Sequence, residues 1–89
     1  MPHSMGVDGT ISAIDCSRSP EITVTLTLSK APMIFHAADF RRISVSAPSE
    51  EALPKLETCK QWTGRQVQVW FRVVQGKDYV GEISKIYFY

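Results

Sequence analysis

The sequence predicts an all-β chain with one short helix, and three observations carry that expectation. Apolar residues recur with period two almost throughout, the spacing that lines one face of a strand. β-Branched and aromatic residues fill the alternating segments, and these are the types that suit a pleated, half-buried surface. Short turn-forming clusters divide the segments, with a single long connection, "APSEEALPKLETCKQWTG", after the fourth of them.

The elements follow in order. "GVDGTISAIDC" is an irregular first strand, with Gly9 expected at a β-bulge. "EITVTLTLS" alternates cleanly: Ile22, Val24, Leu26 and Leu28 face the core, and Thr23, Thr25, Thr27 and Ser29 face out. "PMIFHA" is a short third strand, and "RISVS" sets Ile43 and Val45 against Ser44 and Ser46. In "RQVQVWFRV", Val67, Val69, Phe71 and Val73 point inward while Gln66, Gln68, Trp70 and Arg72 point outward. "YVGEISKIYFY" starts in regular phase and slips near Ser84 and Lys85, which predicts a second bulge and places Ile86 and Phe88 in the core. "SRSPE", "SKAP" and "VQGKDY" are turns, the last with Gly76 at positive φ. In the long connection, Ser49 suits a helix N-cap and Glu50 and Glu51 suit its positive end. Pro54 limits that helix to a turn or two. Trp62, close to Cys59, is expected to plug one end of the fold.

Three strands in a meander, a helical connection and a closing hairpin give the order of a small five- to six-stranded OB-like barrel. A small barrel of the Src-homology type is the alternative, with "ADFRR" as a tight turn and "RISVS" as a strand of its own. Residues 1–5 read as a disordered or tag-like start, and residues 6–89 as a single β-barrel domain. At 89 residues the core is small, so a covalent staple matters.

Composition narrows function by exclusion. Ten basic and nine acidic residues give a net charge of +1, which is no footprint for duplex DNA. No apolar run approaches the ~20 residues of a membrane span, so no membrane partner is expected. The two histidines, His3 and His36, have no partner at any recognisable catalytic spacing. His36 reads as an edge or half-buried strand residue. Asp8, Asp15, Asp39, Asp78 and Glu82 are scattered, and the chain has no Gly-rich phosphate loop. No enzyme activity, cofactor or metal is expected: Cys16, Cys59 and His36 supply three zinc ligands at most, without a C-x-x-C pair.

Cys16 and Cys59 nevertheless have a candidate partner in each other. In an OB-type barrel the first strand pairs antiparallel with the fourth. Cys16 at the end of the first strand then meets Cys59, which precedes the strand opening near Arg65. A disulfide and a pair of buried thiols both remain open. No basic-then-apolar leader opens the sequence. A complete chain is therefore expected in the cytoplasm; a fragment with Cys16 and Cys59 oxidised is expected outside it.

The outward set Gln66, Gln68, Trp70 and Arg72, with Tyr87, is the candidate binding face, and Tyr89 stands near it. Trp70 has two readings: an open contact residue, or satellite core beneath the long connection. An open face suits a protein partner. The alternative is a single-stranded nucleic acid stacked on aromatics beside Arg41, Arg42, Arg65, Arg72 and Lys85.

"GTISAIDC", "FHAADFRRISVS", "CKQWTGRQVQVWFRV" and "GEISKI" together resemble small β domains of bacterial proteins, notably acidobacterial ones. Such domains often lie C-terminal to tetratricopeptide repeats. The resemblance implies an accessory, non-enzymatic module that contacts a protein or another part of its parent chain. It carries no ligand across and leaves the oligomeric state open.

Overall fold

The computed structural model describes residues 5–28 and 31–89; the expectations for His3, the start at residues 1–4 and Ser29 lie outside them. Six strands form one sheet: β1 (Met5–Asp15), β2 (Ile22–Thr27), β3 (Pro32–Ala37), β4 (Ser44–Ser46), β5 (Gln66–Val73) and β6 (Gly81–Phe88). The sheet runs β3-β2-β1-β5-β6-β4, and a further β3–β6 pairing closes five of the strands into a barrel. β1 pairs antiparallel with both β2 and β5, as the OB-type order requires, while β3 meets β6 in parallel. β4 is the extra strand. It lies parallel to β6 opposite Lys85, Ile86 and Tyr87, just beyond the point where β3 leaves that edge.

β1 serves two neighbours because it is long. Met5–Thr10 pairs with β5 and Thr10–Asp15 with β2. Its bulge is at Ser12, between Ile11 and Ala13, and not at Gly9 as the sequence suggested. Gly9 answers a different need. A Cβ there would lie 2.9 Å from Leu28 Cδ2 and 3.2 Å from the Thr27 carbonyl, so its missing side chain admits the end of β2. The predicted slip in the last strand is present. Trp70 faces Lys85 and Phe71 faces Ile83, leaving Ser84 as the extra residue. β1 also begins at Met5, one residue ahead of the expected domain start.

The alternation places the core as predicted. Ile22, Val24, Leu26, Val67, Val69, Phe71, Ile86 and Phe88 are buried and Leu28 is half-buried; Phe35, for which the alternation predicts no face, is buried too and meets Phe71 at 4.6 Å between ring centroids. Burying each such side chain stabilises by about 1.5–3 kcal/mol. Val73 departs from the pattern: it keeps the inward phase but is the last residue of β5 and is 52% exposed. The helical link consists of 3-10 segments, η1 (Phe40–Arg42) after β3, then η2 (Glu50–Ala52) and η3 (Leu56–Trp62). Ser49 occupies the η2 N-cap position without a side-chain bond. Pro54 lacks an N–H and separates η2 from η3. Gly64 and Gly76 take positive φ at 93° and 74°, the first just ahead of β5 and the second in the β5–β6 turn.

Candidate functional site

Three places outside the barrel interior hold chemistry. The first is one end of the barrel. Cys16 and Cys59 form a disulfide, with Cα atoms 6.7 Å apart. The bond joins the end of β1 to η3, as the antiparallel β1–β5 pairing brings them together. η3 carries Trp62, which is buried against Phe40 at 5.1 Å and Phe88 at 5.5 Å. The expected plug is therefore an aromatic cluster. Arg65 completes it, with its guanidinium 4.7 Å from the Phe88 ring centroid and Nη2 donating to the Ala52 carbonyl at 2.8 Å.

The second place is the outer face of β1, β5 and the latter half of β6. Register sets two rows across it. Asp8, Gln68, Tyr87 and Ser46 form one; Gly6, Trp70, Lys85 and Ser44 form the other. Side chains in register share a face, so four of the expected residues, Gln66, Gln68, Trp70 and Tyr87, stand together. Trp70 is half-buried because its indole lies over Gly6; a Cβ there would be 3.1 Å from the ring. Within the long connection, Trp62 packs on Phe40 and the Ala52 carbonyl accepts from Arg65. Tyr89 joins the patch edge-on to Tyr87 at 5.1 Å and donates to Asp8 Oδ1 at 2.7 Å. That bond, with some burial, raises the phenol pKa above its ordinary value. Beside it, Asp8, Gly9, Thr10, Gln66, Val67 and Tyr89 line a cleft of about 380 Å³. Arg72, the fifth expected residue, follows Trp70 on the same side of β5. Past the Ser84 bulge it faces Glu82, toward the third place.

That third place is built on His36. The parallel β3–β6 pairing sets His36 opposite Glu82, and the β2–β3 pairing sets it opposite Thr23. Nδ1 lies 2.9 Å from Glu82 Oε1, and Nε2 lies 2.8 Å from Glu21 Oε2. Tyr79 stacks on the imidazole at 4.5 Å and 20°, and its hydroxyl donates to Glu82 Oε1 at 2.8 Å. Burial, the largest single influence on His36, pushes its pKa down; the hydrogen bonds and charges of Glu21 and Glu82 outweigh it, and the pKa stands above 6.5. The Tyr79 phenol is raised by its bond to Glu82.

No family model matches the chain, and no curated protein or solved structure matches it.

The sequence singled out His36 as a half-buried strand residue and missed its company. Glu21 and Glu82 lie 15 and 46 positions away; the β2–β3 pairing brings the first and barrel closure the second. Among the described residues no group of three or more His, Cys, Asp or Glu side chains is arranged to hold a metal ion. Among the same residues no helix is long and apolar enough to cross a membrane.

Proposed function

We propose that the domain is a non-catalytic, OB-like binding module whose contact surface is the Trp70–Tyr87–Tyr89 face and whose partner is a protein, or another segment of the parent chain. One observation carries the reading. Three aromatic side chains and two uncharged amides, Gln66 and Gln68, share one outer sheet face, with Asp8, Lys85 and Arg72 as its charges. Aromatic bodies with polar tips and few charges are the composition of interface centres. The Cys16–Cys59 bond supports residence in an oxidising, extracytoplasmic compartment.

Single-stranded nucleic acid is the weaker reading. OB barrels take oligonucleotides across their second and third strands and the adjoining loops. Here that surface carries Asp15, Glu21, Asp78 and Glu82 beside Arg18 and Lys77. Phosphates would meet more carboxylates than cations, without the basic groove that tracks a backbone.

The test is a site-specific photo-crosslinker at Gln68, compared in wild type and Trp70→Ala/Tyr87→Ala. The expected result is one defined polypeptide adduct, at least tenfold weaker in the double variant. In parallel, oligo-dT and oligo-U are titrated at about 150 mM salt. Sub-micromolar oligonucleotide binding lost in Trp70→Ala, or an adduct indifferent to both aromatics, overturns the proposal.

A further inference from the structure

The His36 cluster lies apart from the Trp70 face and has its own logic. A carboxylate only accepts hydrogen bonds, and a neutral imidazole has a single N–H to give. Yet both ring nitrogens of His36 sit within 3.0 Å of carboxylate oxygens, Nδ1 on Glu82 and Nε2 on Glu21. Both contacts are donor–acceptor pairs only when the ring carries two protons. Removing one proton turns a nitrogen lone pair toward a carboxylate.

We infer that His36 is a proton-operated clasp: charged, it ties the Glu21 carboxylate to β3 and β6 at the wall of the cleft beside Tyr79; neutral, it releases Glu21 and remodels that cleft. The asymmetry of the two carboxylates decides which is released. Glu82 keeps the Tyr79 hydroxyl at 2.8 Å and faces Arg72 across β5. The Glu21 carboxylate makes no other side-chain hydrogen bond among the described residues. The proton therefore leaves Nε2, and the Nδ1–H to Glu82 remains.

The surrounding charges come from every neighbouring element. Arg18 in the β1–β2 loop and Lys77 and Asp78 in the β5–β6 turn line the same cleft of about 440 Å³. Asp15 of β1 lies one strand further, opposite Thr23. Arg18, Lys77 and Arg72 oppose the extra proton; Asp15 and Asp78 add to the glutamates in favouring it. Release leaves the cleft one charge more negative, with the Nε2 lone pair uncovered. A ligand offering a hydrogen-bond donor or a positive charge is then favoured there, and one offering an anion is disfavoured.

Long-range proton–nitrogen NMR on a His3→Gln chain reads the ring directly, since His36 is then its sole imidazole. Over about pH 5 to 8 the expected course has four parts. Both nitrogens are protonated at low pH, and Nε2 alone loses its proton at high pH. Amides of Arg18, Ser19, Glu21 and Lys77–Tyr79 shift with the same midpoint. Glu21→Gln lowers that midpoint. A neutral ring protonated on Nε2, loop amides that ignore the titration, or a midpoint unmoved in Glu21→Gln each overturns the clasp. The tautomer is read in the chain with Glu21 intact, so it stands whatever the variant does to folding.

Discussion

Breaking the Cys16–Cys59 bond is expected to remove most of the domain's stability. The bond spans a sequence separation of 43. Treated as a constraint on the unfolded chain, a loop of that length is worth about 4 kcal/mol at 25 °C. A domain with so small a core has a net stability near the low end of ~5–15 kcal/mol, so the link is comparable to the whole. Urea unfolding with and without reductant, followed by Trp62 and Trp70 fluorescence, measures it. With a slope of about 1 kcal/mol per molar urea, the midpoint falls by roughly 3–4 M, and the slope itself rises because the uncrosslinked chain exposes more surface. The folded baseline should not change, since Trp62 is also held by Phe40 and Phe88. Cys16→Ser, at the half-buried end of the bond, should match reduction. A midpoint that moves by less than about 1 M would falsify the chain-entropy account. An altered folded baseline would place the effect in the native contacts around Trp62 instead.

The remaining expectations concern pH, packing and the last strand. His36 has a folded-state pKa above its ordinary 6.5, so its contribution is fully present below 6.5 and is lost as pH rises through the folded value. Melting temperature should therefore fall over that window in wild type, and that component should vanish in His36→Gln. Asp15 and Asp39 have lowered pKa values, through bonds from Ser17 and Arg41 respectively, and act in the opposite sense: what they add is present above 3.8 and lost as pH falls further. Gly81→Ala should destabilise by about 1–3 kcal/mol, because a Cβ there meets the Phe71 ring and lies 2.8 Å from the Arg72 carbonyl; an unchanged denaturation midpoint would contradict that packing. Phe88→Ala should cost about 3–5 kcal/mol, since Phe88 is fully buried beneath Trp62 and Arg65. Deleting residues 86–89 removes Ile86 as well and should leave no cooperative melting transition, whereas an intact transition would show that β6 is dispensable.

The sequence alone determined what depends on neighbours one or two positions apart. Period-two alternation in Ile22–Leu26 and Val67–Phe71 fixed which side chains are core, because successive strand residues must face opposite sides. The phase slip at Ser84 was legible for the same reason: two adjacent exposed residues break an alternation that the flanking Ile83 and Ile86 maintain. Even the Cys16–Cys59 contact followed, once element order implied which strands pair. Other features depended on what approaches from elsewhere. A glycine in a strand marks either a bulge or a close approach, and only the position of Leu28 shows that Gly9 is the second. Val73 is exposed because the core ends before the strand does, a fact that alternation does not contain. Trp70 reads as cover or contact from the sequence, and only the folded sheet sets Gly6 beneath its ring. The His36 clasp was least legible. Its four residues come from a loop, two strands and a turn; the β2–β3 pairing supplies Glu21, and a parallel β3–β6 seam brings in Glu82 and Tyr79. Such a seam joins segments far apart in the chain through backbone hydrogen bonds, which any residue can supply, so it leaves no local mark on the side chains that it brings together.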